Sequence, residues 1–577
     1  MISGPKKNAS WCAGLMLSSA MLTTPAMAAV SNADESQTFV HMFEWKWADI
    51  AIECEGTLRS KGYAGVQVSP PQESIGGAQW WTRYQPRSYN IIGRSGNQAQ
   101  FQNMVSRCNA AGVKVYVDAV INHMSAEQGS NGLAIDYPAV PYAGSLDFHN
   151  WVCSGIDYQN RSQVQNCNLV GLNDLRTETD YVRGRIANYM NTLIGWGVGG
   201  FRIDAAKHIP AGDLVNIFGR LSGAPYVYQE VLFGAGEAVQ PSEYTPAADV
   251  YEMGYNARMN QYFRSATAGL AGLQNVASGL MASNKGVVFT DSHDTPRDGS
   301  TDNDLTYKDG ARYVLANVFM LAYPYGYPKV MSGYKFTSGD QGPPANGANS
   351  GDSCFSGNWQ CDHRTLAIAN MVQFRRTTAG QGVTHWNNIN NLAIAFGRGN
   401  RGFVVINKNS GAINSTLATG LPNGVYCNVA VGDFANGACS GATITVTNGQ
   451  ATFNVAGNTA AAIHVDARVG DATPPPTGGT VNITFQCNNG TTVWGQSVYV
   501  VGATSQFGAW APANAQKLDP TAYPTWTGTF AVTTSNTAIE WKCLKRNETN
   551  AAAGIVWQPG ANNSVVPNAT RTAVAAF

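Results

Sequence analysis

Three acidic residues stand at the ends of short apolar runs. Asp204 closes Gly200-Phe201-Arg202-Ile203-Asp204, Glu230 closes Tyr226-Val227-Tyr228-Gln229-Glu230, and Asp294 follows Val288-Phe289-Thr290-Asp291-Ser292-His293. A single carboxylate after a strand is ordinarily a helix cap or a salt-bridge partner. Three of them at equivalent positions, beside Arg202, His123 and His293, form a set fit for nucleophilic and acid–base chemistry. Breaking a glycosidic bond needs such a set: one carboxylate attacks the anomeric carbon and one carboxylic acid protonates the leaving oxygen. The acid must keep its proton near neutrality, which requires burial or neighbouring negative charge.

Elements that could hold these residues recur along the chain. Gly65-Val66-Gln67-Val68, Val113-Lys114-Val115-Tyr116-Val117-Asp118 and Val287-Val288-Phe289-Thr290-Asp291 read as buried parallel strands with polar residues at their C-terminal ends. Helical patterns such as Asp180 to Met190 lie between them. Repeated βα units over 37–380 predict an α/β fold, a (β/α)8 barrel, whose reactive groups gather at the C-terminal ends of the strands. The stretch 123–171 lacks helical period and reads as an insertion after the third strand. Residues 383–467 alternate as an antiparallel β domain, 470–479 (with Pro474-Pro475-Pro476) form a linker, and 480–577 read as a separate β module. Gly397-Arg398-Gly399-Asn400-Arg401-Gly402 has the spelling of a dinucleotide loop, but a strand rather than a helix follows it, so a hairpin is expected.

Composition narrows the function classes. The 577 residues are 44% hydrophobic and only 13% charged, with 37 basic and 37 acidic side chains. A general nucleic-acid binder needs a basic excess to pair with phosphates, and this chain has none. Lys6 and Lys7, an apolar run from Trp11 to about Leu22, and Ala26-Met27-Ala28 have the order of an export signal over 1–28. The run is too short to span a bilayer, so a secreted, extracellular protein without a membrane segment is expected. Cys12 leaves with that signal. The other ten cysteines fall into sequential pairs: Cys54 and Cys108, Cys153 and Cys167, Cys354 and Cys361, Cys427 and Cys439, Cys487 and Cys543. Structural disulfides of an oxidising compartment are the expectation.

Asp118-Ala119-Val120-Ile121-Asn122-His123, Gly200 to His208, Glu230 and His293-Asp294 resemble, in order, the four signature regions of the α-amylase family of glycoside hydrolases. Gly171-Leu172-Asn173-Asp174-Leu175 is similar to its fifth. Phe39 to Trp45 and Trp80-Trp81-Thr82-Arg83-Tyr84-Gln85-Pro86 are similar to the animal and actinobacterial branch. The resemblance implies that Asp204 is the nucleophile, Glu230 the acid/base and Asp294 the third acid, with Arg202 keeping Asp204 ionised. It implies sugar contacts from Trp81, Tyr84, Gln85, His123, Lys207, His208 and His293. It implies a structural Ca2+ held by Asn122, Asp174 and the main-chain carbonyls of Gln165 and His208, where Gln165 replaces a common arginine. Chloride in this branch needs counterparts of Arg202, Ser292 and Lys329; the serine departs from the usual asparagine, which leaves chloride open.

The module after the linker resembles the family 20 starch-binding domain. Trp510 and Trp557 would form a stacking platform, Lys542 and Asn562 would supply hydrogen bonds, and Tyr499 and Tyr523 fall at a second site. Gln558 stands where a glutamate is usual. The whole implies a monomeric, retaining, endo-acting hydrolase of starch and other α-1,4-glucans. A transglycosylase of the same fold and a non-catalytic starch-binding protein are the alternatives; products formed with and without an added acceptor separate the first, and retention of all three acids speaks against the second.

Overall fold

A computed structural model describes residues 30–126, 142, 144–149, 151–297, 305–470, 480–533, 538–567 and 570–577. The expected signal over 1–28, the middle of the insertion at 127–141 and the linker residues 471–479 lie outside the described residues.

Eight strands form the barrel: β1 Phe39–Met42, β2 Gly65–Val68, β3 Lys114–Ala119, β4 Gly200–Ile203, β5 Tyr226–Gln229, β6 Asp249–Tyr251, β7 Gly286–Phe289 and β8 Tyr327–Tyr334. Each pairs in parallel with the next, and β1 closes on β8 with Phe39 opposite Lys329. Helices outside and side chains inside cover both faces, which is why the strands read as unbroken apolar runs. Phe39, Tyr116, Tyr226, Tyr228, Tyr251, Phe289 and Tyr327 fill one interior layer. Two glycines make room for it: a Cβ on Gly65 would stand 2.7 Å from the Tyr116 ring, and one on Gly200 would stand 2.4 Å from the Tyr226 carbonyl oxygen. Further along the same inward-facing rows come His41, Asp118, Arg202 and Lys329, so the barrel changes from aromatic to charged toward the strand C-termini.

Residues 120–199 leave the barrel between β3 and β4 and include the short ladder of His123–Met124 with Asn173–Asp174. In the C-terminal domain Val383–Asn390, Ala393–Arg398, Gly402–Asn407 and Thr459–His464 form one antiparallel sheet. The glycine-rich stretch is its hairpin, with Arg398 opposite Gly402 and Gly399 at φ 53°. The final module packs a four-stranded and a five-stranded sheet around Phe485, Phe507 and Trp541. All five sequential cysteine pairs are disulfides. Among the described residues no helix is long and apolar enough to cross a membrane.

Candidate active site

The site is built around one buried cation. The guanidinium of Arg202, on β4, lies 2.7 Å from Asp118 Oδ1, 2.6 Å from Asp204 Oδ1 and 2.5 Å from Glu230 Oε1. Asp118 belongs to β3, Asp204 follows β4 and Glu230 follows β5, so adjacent strand ends bring the three carboxylates together. Arg202 does touch Asp204, but its charge is divided among three acids. Burial therefore holds the Asp204 carboxyl well above the usual range despite the opposing pull of Arg202. Asp294, in the loop after β7, keeps its side chain 43% open to the cleft, and desolvation by the cleft walls followed by repulsion from Glu230 pushes it up to about 7.

Glu230 is held at both oxygens. Oε1 faces Arg202, and Oε2 accepts the Ala205 amide at 2.9 Å. Ala205 reaches that position in the left-handed region, at φ 47°. A non-glycine residue there costs of order 1–3 kcal/mol, and the strain aims its N–H at the acid.

A cleft of about 320 Å³ opens over these groups, lined among others by Trp80, Trp81, Tyr84, His123, Asp204, Glu230, His293 and Asp294. Tyr84 donates to Asp118 Oδ2 at 3.0 Å and stacks on His293 at 5.2 Å. Burial pushes His123 down to about 4 and His293 well below its ordinary value, so both imidazoles are neutral near pH 7. A neutral imidazole can donate and accept at once, and His123 does so within the protein, with Nε2 on the Tyr84 carbonyl oxygen at 2.9 Å and Nδ1 3.2 Å from the Asn122 side-chain nitrogen. Trp81 donates to Asp340 Oδ1 at 3.1 Å, which orients its indole.

Not all expected sugar contacts meet here. Gln85, Lys207 and His208 are not in the lining of this cleft. Lys207 is buried, paired with Glu237 and donating to the Leu232 carbonyl at 2.7 Å, so it braces the loop after β5. The His208 ring pairs with the Val164 carbonyl oxygen at 2.7 Å and ties the insertion to the barrel. Gln85 is half-buried at the end of the Trp80–Tyr84 turn. Sequence reasoning assigned no role to Asp118, although the signature run begins with it; its partnership with Arg202 becomes visible only when β3 and β4 pair.

The residues expected to hold calcium fit a hard cation. Asp174 pairs in the ladder with His123, next to Asn122, and the Leu175 amide donates to the Asn122 carbonyl at 3.0 Å. His208 and Val164, bonded to each other, bring the Gln165 segment alongside. The donors are amide, carboxylate and carbonyl oxygens, the ligand class calcium prefers. Asp174 is buried and pushed up to about 7 by desolvation, with His149 Nδ1 2.6 Å from its Oδ2. A nearby cation would relieve that cost. The Gln165 side chain turns to the Tyr244 hydroxyl at 3.5 Å, so only its carbonyl is a candidate ligand.

For chloride, Lys329 lies fully buried with Nζ donating to the Tyr251 hydroxyl at 2.7 Å. Burial, then Arg202, pushes it down to about 7. Among the described residues Arg202 Nε and both ring nitrogens of His41 have no hydrogen-bond partner. Ser292 accepts from the Asp294 and Thr295 amides at 3.1 and 3.2 Å, so its hydroxyl serves its own turn.

Comparison with known proteins identifies the three domains. Residues 69–230 match the alpha amylase catalytic domain, 384–466 the alpha amylase C-terminal all-beta domain and 480–576 the starch binding domain. An alpha-amylase of Streptomyces violaceus is 44% identical over 94% of this chain and 95% of its own length.

The chain belongs to the α-amylase family.

An alpha-amylase of Tenebrio molitor is 43% identical over 76% of this chain and 99% of its own. The crystal structure of alpha-amylase I from Eisenia fetida matches with a TM-score of 0.69 at 39% identity, covering 76% of this chain and 99% of that one. A mutant of that earthworm protein has been solved with maltohexaose.

In the starch-binding domain the rings of Trp510 and Trp557 lie 6.5 Å apart at 44°. Lys542 donates to the Gln558 and Gly560 carbonyls at 3.0 and 2.6 Å, and Asn562 donates to Glu540 Oε2 at 3.1 Å. Gln558 is buried and accepts the Cys543 amide at 3.0 Å, so it supports the fold instead of facing outward. The expectation for Tyr499 is corrected. It is 4% exposed, with the Arg546 guanidinium 3.9 Å above its ring, and cannot present a face to a ligand. Tyr523 is 55% exposed and Trp494 fully so, and the Tyr523 hydroxyl accepts the Thr492 amide at 3.3 Å. Trp494 is thus the free aromatic near Tyr523; in the sequence it was hidden beside a glycine turn.

Proposed function

We propose that this protein is a secreted, endo-acting α-amylase that hydrolyses internal α-1,4 bonds of starch with retention. The observation that carries the reading is the convergence of Asp204, Glu230 and Asp294 on one cleft above Arg202. Asp204 attacks the anomeric carbon as the carboxylate while Glu230 in its protonated form gives its proton to the leaving oxygen, and Arg202 and the Ala205 amide stabilise the Glu230 carboxylate left behind. Glu230 then takes a proton from the water that hydrolyses the glycosyl-enzyme. Asp294 faces the oxocarbenium-like transition state, His293 meets sugar hydroxyls, and His123 lines the cleft while bonded to Tyr84 and Asn122. Trp81 and Tyr84 offer ring faces to the pyranoses. The maltohexaose complex of the earthworm relative supports a linear α-glucan as the ligand of this cleft.

Calcium would be held by Asn122, Asp174 and the carbonyls of Gln165 and His208, and when bound it supplies positive charge that joins insertion to barrel. Chloride would sit against Lys329 and Arg202. Disulfides and the signal-like leader support export, and the starch-binding domain supports anchoring on granules.

Three conservative variants test the reading. Asp204→Asn, Glu230→Gln and Asp294→Asn should each lower turnover by orders of magnitude with unchanged circular dichroism; near-normal kcat in one removes that residue. Fresh products should be α-anomers by NMR, and β-anomers before mutarotation would refute retention. A γ-cyclodextrin glycosyltransferase shares the fold at a TM-score of 0.57 and 17% identity. Assays with a glucose acceptor therefore decide between hydrolysis and transfer.

A further inference from the structure

The loop that carries His293 and Asp294 also carries a buried arginine, Arg297, ringed by aromatic side chains. The Arg297 guanidinium carbon lies 4.0 Å from the Phe336 ring centroid, 5.1 Å from those of Phe43 and Tyr334, and 6.0 Å from that of Trp80. These rings follow β1 and β2 or belong to the end of β8 and the loop beyond it. Arg297 itself follows β7. One cation thus joins the C-terminal loops of four strands around one edge of the cleft. Its polar contacts are aimed at the catalytic loop: Nη1 donates to the His293 carbonyl at 2.7 Å, and the Arg297 amide donates to the Asp294 carbonyl at 2.7 Å. Among the described residues its Nε has no hydrogen-bond partner. Aromatic faces offset part of the cost of burying such a cation, and a planar guanidinium suits them better than an ammonium.

We propose that Arg297 is a positioning residue for the reaction: wedged among Phe43, Trp80, Tyr334 and Phe336, it fixes the His293–Asp294 backbone and so the place of the Asp294 carboxylate. The inference rests on the reading of Asp294 as the third acid. Asp294 has only partial support of its own, since His293 Nε2 stands 3.2 Å from its Oδ2 and its side chain is 43% exposed. Its aim therefore depends on the backbone beneath it. Asp204 and Glu230, on the opposite side of the barrel mouth, do not touch Arg297.

The test is a double-mutant cycle on the full chain with maltoheptaose as substrate. Arg297→Met leaves an apolar side chain among the rings and removes charge and donor together. It should lower kcat roughly 10–100-fold, the scale of a misplacement near 1 Å, with KM within about threefold. Arg297→Lys, which keeps the charge and one donor, should recover part of the loss. In an Asp294→Asn background Arg297→Met should cost little more, because its effect runs through Asp294. Losses that multiply in the double variant overturn the proposal, as does a kcat for Arg297→Met within about twofold of the parent. Should Arg297→Met fail to fold, Arg297→Lys carries the same cycle. Asp294→Asn measured alone tests the third-acid reading, so a failure there is distinguished from a failure of Arg297.

Discussion

At the scale of single residues, the barrel mouth is a problem of charge. Arg202 and Lys329 face Asp118, Asp204, Glu230, Asp291 and Asp294, of which Asp294 alone is widely open to the cleft. Lys329, pushed down to about 7, loses its proton readily unless an anion stands beside it. A bound chloride favours the protonated amine, which by linkage means that protonation favours chloride. Chloride should therefore bind more weakly as pH rises through about 7, and saturating NaCl should move the alkaline limb of activity upward. Sodium sulfate at matched ionic strength should do neither; the same response to both salts removes the chloride site. Lys329→Gln should abolish the chloride response.

Among elements, the insertion between β3 and β4 depends on its seams with the barrel. Its polar contacts there include the short His123–Asp174 ladder, the His208 ring on Val164 and the Arg161–Glu243 ion pair, beside buried apolar residues such as Phe148, Val164 and Leu175. Asp174 is buried with the His149 imidazole as its partner, so a cation at this seam adds counter-charge and stabilises the folded state by mass action. Chelation should lower the melting temperature, and Asp174→Ala should give a low melting temperature that added calcium no longer raises. Equal melting with and without chelator would count against the site. The Cys153–Cys167 disulfide, within the insertion, should make that loss local before it becomes global.

For the whole molecule, two binding units act on one polymer. The cleft holds a chain for cleavage, and the module offers indole and phenol faces at Trp510, Trp557, Trp494 and Tyr523. Removing a stacking aromatic costs about 1–3 kcal/mol by analogy with base stacking, which is roughly tenfold or more in affinity. Trp510→Ala with Trp557→Ala should release the protein from raw granules while soluble starch is cleaved at close to the normal rate. Adding Trp494→Ala should remove what binding remains, whereas Tyr499→Phe should change nothing, because that ring is covered by Arg546. A folded double variant that still pulls down with granules would refute the platform, and circular dichroism of the same sample checks folding.

Periodicity and strand-end chemistry were enough to read the barrel, the β domains and the acids, because buried parallel strands are continuous in sequence, Asp204 and Glu230 follow their strands directly, and Asp294 lies in the short loop after its own. The disulfides were legible because each pairs successive cysteines along the chain, whether 7 or 56 residues apart. What the sequence could not determine depended on chains meeting from afar. Asp118 and Glu230 share Arg202 only because β3, β4 and β5 lie side by side. Lys207 turns to Glu237 and Leu232, and Gln558 turns inward, because each side chain has two faces open to it and packing chooses one. Tyr499 and Trp494 show the same limit: both are aromatic, five positions apart, but the first is buried mid-strand on the sheet face that Arg546 covers, and the second stands outside the strand with nothing above it. Residue type and spacing determined which chemistry was present; tertiary packing decided which surfaces were left free to perform it, since burial is a property of neighbours that the local sequence does not contain.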